Sequence, residues 1–193
     1  MQPIPSSSNE KRCKRNMAAP TMRLICCTNP LQREPTPQLM PHMPFTLRRA
    51  TVADADAIAA VYSASFRLLT FLPMLHTAAE YRSFIANVIF RDCEVIVAED
   101  NSGIVSFLAR QDEEVRLLYT RPDRIGRGAG TQLIEAAQKS GVKALKLWCF
   151  QANARARRFY EARGFHPIRF TDGAGNEEKT PDVCYRWERT GCF

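Results

Sequence analysis

No stretch of this sequence is apolar for the about 18 consecutive residues that a membrane-spanning helix needs. An integral membrane protein with spanning helices is not expected, and the N-terminus lacks the apolar core of a secretory signal. Nor is there a C-x-x-C pair among the seven cysteines, which are odd in number and scattered. Adjacent Cys26 and Cys27 suit neither a zinc site nor an easy disulfide, so reduced thiols, no metal centre and a cytoplasmic location are the expectation. Acidic residues are scarce in one segment. Residues 116–163 hold eleven Lys or Arg against Asp123, Glu135 and Glu161, within a chain of net charge +7. A basic middle of this kind points to a local anion site more than to a general nucleic-acid surface. The basic N-terminal segment also lacks the interleaved aromatics of a single-strand binder.

The 193 residues suffice for one domain with a full core. Residues 1–44 carry eight of the twelve prolines, a triple serine and no sustained hydrophobic period. They are expected to be disordered, with the folded domain spanning 45–193. The functional protein is expected to begin near Met40 or Met43, which precede the first strand-like run.

From there, apolar periodicity predicts a strand at 45–49 and a helix from Thr51 to about Ser65. A second helix opens at a Thr77/Glu80 capping box. Strands CEVIVAE and GIVSFLAR are joined by the turn signal Asp100-Asn101-Ser102-Gly103, and a third strand, EVRLLYT, follows. A helix ending near Ser140-Gly141, the strand KALKLWCF, a helix from Asn153 to Arg163 closed by Gly164, and strands near 165–170 and 183–189 complete the order β-α-α-β-β-β-α-β-α-β-β. This is an α/β fold with a mixed sheet.

Two stretches carry chemistry. RIGRGAG, 124–130, places Gly126, Gly128 and Gly130 at alternate positions between a strand and a helix. Bare backbone there suits N–H groups closing around a phosphate or pyrophosphate at a helix N-terminus. A Walker A loop is excluded, because Thr131-Gln132 stands where Lys-Ser/Thr is needed. A dinucleotide loop is excluded too: the third glycine is absent from its position, and Trp148-Cys149-Phe150 ends the next strand instead of an acidic residue. In the second stretch, LWCFQANARARRFYEARGF, Asn153 is placed to cap a helix. Tyr160 follows on nearly the same face, with the small Ala156 between them. Phe159 and Tyr160 could equally be packing aromatics.

Together these stretches resemble the GNAT superfamily of N-acetyltransferases. The family's first signature, Gln/Arg-x-x-Gly-x-Gly/Ala, is matched at Gly128 and Gly130, with Ile125 in place of the expected Gln or Arg. The second is matched at Asn153, Ala156, Phe159, Tyr160, Gly164 and Phe165. The resemblance covers about 45–190 and implies a GNAT-like, mostly antiparallel sheet flanked by helices, with acetyl-CoA as cofactor.

By the same resemblance, Arg124, Ile125, Gly126, Arg127, Gly128, Ala129, Gly130 and Thr131 would hold the CoA pyrophosphate. The backbone of Leu117, Leu118 and Tyr119 would pair with the pantetheine arm, along a strand splayed from its neighbour. Asn153, Ala156 and Phe159 complete the cofactor set, and Arg155, Arg157 and Arg158 either touch the 3′-phosphate or form a solvated face. Tyr160 sits at the general-acid position, and Glu114 (or Glu113) is the candidate base. His76 of LPMLHT, with Glu177 and Glu178 of TDGAGNEEKTPD, would shape the acceptor pocket. The implied activity is acetyl transfer to a primary amine of a small molecule, by a monomer or homodimer. Protein N-terminal or lysine acetylation, and a silent acyl-CoA sensor, are the alternatives.

Overall fold

The computed structural model describes residues 45–189. The expectations for residues 1–44, the extension and the start of the functional protein, lie outside the described residues. The chain builds one seven-stranded sheet in the order β1-β2-β3-β4-β5-β7-β6. Its strands are β1 (Thr46–Arg49), β2 (Glu94–Asp100), β3 (Gly103–Gln111), β4 (Glu114–Thr120), β5 (Ala144–Phe150), β6 (His166–Phe170) and β7 (Asp182–Glu188). The helices are α1 (Ala55–Phe66), α2 (Ala78–Phe84), α3 (Phe90–Asp92), α4 (Ala129–Lys139) and α5 (Ala154–Glu161).

Local sequence accounts for most boundaries. Thr77 and Glu80 close the foreseen capping box on α2, with the Thr77 amide donating to the Glu80 carboxylate at 2.7 Å. The reciprocal Thr51–Asp54 pair instead opens a 3-10 turn (Val52–Asp54), so α1 begins at Ala55 and not at Thr51. Asp54 also makes a bidentate contact with Arg48, which reaches Glu99 on the neighbouring strand. A π turn (Ile85–Ile89) joins α2 to α3, an insertion that apolar spacing did not foretell. Its Ile85 and Ile89 are both fully buried. Asn153 caps α5 as foreseen, accepting from the Ala156 amide at 3.1 Å. That helix ends at Glu161, two residues sooner than its sequence suggests, and Gly164 then takes the left-handed turn at φ +79°.

The core runs along β3, whose Ile104 to Ala109 are all buried because helices cover both faces of the sheet. All but one of the strand pairs are antiparallel. The exception opens the sheet. β4 and β5 run parallel and share the single ladder pair Glu114↔Lys146, where the Lys146 amide donates to Glu113 O at 2.8 Å. Opposite β3, the β4 register skips from Ala109↔Leu117 to Arg110↔Val115, so Arg116 is the extra residue of a β-bulge. Beyond the bulge the strands diverge, and Leu117 to Thr120 face β5 without a strand partner among the described residues.

Candidate active site

The glycine loop sits at the open end of this split. Pro122–Arg124 form a 3-10 turn after β4, and Gly126 and Gly128 follow with φ of +81° and +96°. Only glycine takes such angles without steric cost. The first helical hydrogen bond of α4 runs from the Gln132 amide to Gly128 O at 3.0 Å. The amides of Ala129, Gly130 and Thr131 therefore precede it, at the positive end of the helix dipole. Gly130 has a different reason. It is helical, and a Cβ there would meet Thr120 Oγ1 at 3.5 Å and the Phe159 ring at 3.6 Å, ordinary contact distances.

The same measurement shows that the two sequence stretches meet in space. Phe159 of α5 packs beside Gly130, and Arg155, one helical turn earlier, brings Nη2 to 3.6 Å from the Cβ position at Gly126. Arg163 locks the junction: its guanidinium lies 3.8 Å from the Phe159 ring centroid, donates to Phe159 O at 2.7 Å and reaches the Thr131 hydroxyl. Arg155 is thus the arginine that overlies the loop. The Arg157 Nε instead donates to the Tyr185 hydroxyl at 3.1 Å, and Arg158 is exposed.

Arg124 has another task. Its Nε lies 2.7 Å from Asp100 and its Nη1 2.6 Å from Asp123, while Arg121 holds Asp123 and Ser102. This mesh ties the glycine loop to the β2–β3 turn, and hydrogen bonding from Arg124 and Ser102 holds the Asp100 carboxyl well below the usual carboxylate range. The Arg124 guanidinium is thereby paired with carboxylates of its own chain. Ile125 is half-buried and Arg127 exposed. Any anion held here is held chiefly by backbone.

Along the open edge, Leu117, Leu118 and Tyr119 are fully buried. Two buried serines, which sequence reasoning missed, fix the strand end. Ser65 of α1 donates to Thr120 O at 2.7 Å, and Ser106 of β3 donates to Tyr119 O at 2.7 Å. Ala156 and Tyr160 are also buried, and Tyr160 lies in an aromatic cluster with Phe159, Phe165 and Tyr185. Packing against these rings is what fixes the Tyr160 side chain. Glu114 fares differently. It is exposed, at the closed end of the split, and the structure does not bring it to the other candidate polar groups. Glu113 is exposed beside it.

The acceptor candidates do converge. His76 Nε2 lies 2.8 Å from Glu177 Oε1, joining the segment between α1 and α2 to the loop between β6 and β7. That loop is a built structure. Asn176 donates to Asp182 Oδ2 at 3.0 Å and Thr180 O at 2.7 Å, and its own carbonyl accepts from the Thr180 amide at 3.1 Å. Thr171 bonds Asp182, and Gln151 donates to the carbonyls of Thr171 and Asp182. Gly173, at φ +84°, leaves no room for a side chain, since a Cβ would lie 2.3 Å from the Thr180 backbone. Glu178 is buried and Glu177 half-buried at its rim. Next to them stands Tyr81 of α2. Its ring meets His76 at 5.8 Å and Tyr62 at 4.9 Å, and Tyr62 in turn meets Tyr119 at 4.6 Å, an aromatic path to the open edge of β4.

Residues 91–167 match a family described as an acetyltransferase (GNAT) domain. An uncharacterised N-acetyltransferase of Archaeoglobus fulgidus is 28% identical over 147 residues, 68% of this chain and 99% of the relative. Among solved structures, the apo form of YjaB from Escherichia coli superposes with a TM-score of 0.62 at 20% identity, covering 75% of this chain and 98% of that one. The acetyltransferase yncA of Salmonella typhimurium, solved with its cofactor acetyl-CoA, gives 0.59 at 17% identity, over 76% and 95%. These two share the fold. With a glycine loop on a split parallel pair and the α5 segment packed against it, the chain is similar to N-acetyltransferases of the GNAT superfamily, whose domain model its residues 91–167 match.

Proposed function

We propose that the protein transfers the acetyl group of acetyl-CoA to a primary amine of a small molecule, by direct attack with donor and acceptor bound together. The observation that carries this reading is the split between β4 and β5, which ends at backbone amides of a glycine loop. Phosphate oxygens of CoA would accept from the amides of Gly128 to Thr131, with Arg155 alongside. The pantetheine amides would take the place of the missing strand partner at Leu117 to Tyr119. The cofactor supplies the activated acetyl thioester.

The acceptor approaches from the His76–Glu177 side. Its ammonium must lose a proton before it attacks. As the nitrogen–carbon bond forms and the carbon–sulfur bond breaks, the departing thiolate gains a proton. Tyr160 would supply that proton from its buried phenol and be reprotonated by the proton that the new amide nitrogen sheds. Glu114, exposed at the closed end of the split, is a weaker candidate for the first proton transfer than a water chain leading to solvent.

Release of CoA thiol from acetyl-CoA across a panel of primary amines tests the proposal. Amine-dependent release with a matching N-acetyl product supports it. Tight acetyl-CoA binding without release for any amine or peptide would make the protein an acyl-CoA sensor.

A further inference from the structure

The acceptor cluster is more acidic and more buried than a reacting amine requires. Around Tyr81 stand Glu178 and Glu177 from the β6–β7 loop and Glu80 from its own helix, against Arg67 at the end of α1 and the imidazole of His76. Burial first, then the charges of Glu178, Glu177 and Glu80, push the Tyr81 phenol up to about 12. The Tyr81 hydroxyl is buried and finds no hydrogen-bond partner among the described residues. A buried phenol oxygen costs stability unless something bonds to it. Beside carboxylates, the fitting partner is a cation that donates to both.

That cation is not the nitrogen that attacks. Carboxylates at close range stabilise an ammonium and hold its proton, which opposes nucleophilic attack. A cation bound permanently at this place must belong to a different part of the acceptor. Only the Tyr62 ring separates Tyr81 from Tyr119 on the open edge of β4, so a short acceptor could span both places.

We infer that Tyr81 and Glu178, with the His76–Glu177 pair at the rim, form an anchor for a second, non-reacting ammonium, so that the preferred acceptor is a diamine or polyamine. This rests on the acetyl-transfer reading and specifies its substrate class. In the balanced reaction one terminal ammonium loses its proton to solvent and attacks the thioester carbon, CoA leaves as the thiol, and the other ammonium stays protonated on the anchor.

The test compares 1,3-diaminopropane through 1,6-diaminohexane with the monoamines of matching length, on the full chain with acetyl-CoA. At least one diamine should exceed its monoamine by about tenfold or more in kcat/KM, the scale on which a site with buried polar groups rejects an analogue that cannot pair with them. In Glu178→Gln, and in Tyr81→Phe, which removes only the hydroxyl, that ratio should fall toward one while the thermal midpoint shows a folded protein. Equal kcat/KM for diamines and monoamines at every length overturns the anchor but leaves acetyl transfer standing. Should no amine be acetylated, calorimetric titration of 1,5-diaminopentane into the CoA-loaded protein decides. Binding that Glu178→Gln abolishes upholds the anchor while transfer falls, and no binding overturns the anchor.

Discussion

The candidate site has two unlike walls, the glycine loop and the proposed acceptor cluster. On the glycine-loop wall the polar groups are backbone amides, and the charged side chains nearby serve mainly to brace them, as Arg124 does on Asp100 and Asp123. On the acceptor wall the polar groups are side chains, namely His76, Tyr81, Glu177 and Glu178, held by a loop that is itself pinned through Asn176 and Asp182. The difference teaches where each wall is vulnerable. A backbone cradle would tolerate side-chain exchange, such as Ile125 where the resembled signature has Gln or Arg, but not a change of φ. A side-chain wall is the reverse: conservative backbone variation matters little, and a single amide-for-acid exchange removes a function.

Four experiments would break or sharpen this contrast. Tyr160→Phe should have the largest effect, a fall in kcat of about a hundredfold with acetyl-CoA affinity kept, since general-acid catalysis contributes on that scale. Single-turnover kinetics with a separate binding titration reads both quantities. Unchanged turnover would leave Tyr160 as packing alone.

Next, Gly128→Ala should weaken acetyl-CoA binding about tenfold, because a left-handed angle costs an L-residue roughly 1–2 kcal/mol. Gly130→Ala, which meets only ordinary contacts, should change the affinity by less than about twofold. Equal losses in the two variants would mean that side-chain space, not φ, governs the loop.

Asn176→Ala comes third. Freeing the loop should raise KM for the amine about fivefold and leave the cofactor dissociation constant unchanged, as expected where an interaction with only one substrate is lost. A parallel loss of cofactor affinity would show that the walls are not independent.

Smallest is Asp100→Asn, a loosening of the Arg124 brace worth about threefold in acetyl-CoA affinity. The sign of its pH dependence is set by the depressed Asp100 carboxyl. The brace is fully present above the unfolded carboxylate range, near pH 4, and is lost only as pH falls below it through the lower folded value. A stability profile of wild type and variant between pH 2 and 7 should therefore converge at the acid end.

The two walls were also unequally legible from sequence. Glycine placement, the Asn153 cap and the strand and helix order are short-range properties. The backbone angles at Gly126 and Gly128 and the 3.1 Å cap bond realise them directly. The acceptor residues His76, Glu177 and Glu178 were named from their place in the fold, but the 2.8 Å contact of His76 with Glu177 joins opposite halves of the chain, which no periodicity reports. Tyr81 was hidden by its own pattern. It falls on the apolar face of α2, and only the loop returning from far along the chain turns that face into a polar floor. The β-bulge at Arg116 escaped for a related reason: a bulge is defined by two strands together, and EVRLLYT alone reads as an unbroken strand. Glu114 was named by resemblance, from its place at the entry to the strand before the loop, and the same bulge marks where that strand stops being open.

The single rung between β4 and β5 has a mechanical meaning as well. A sheet that closes only at Glu114↔Lys146 is two half-sheets hinged at one backbone contact, with an unmated edge enclosed in the middle of the molecule instead of at its border. Such an edge is ordinarily a liability, a template that invites another strand. Here a ligand with its own amides would act as a removable strand. Occupancy of the cleft would then be felt as rigidity of the whole sheet, in slower amide exchange on β5 and β7 as much as on β4.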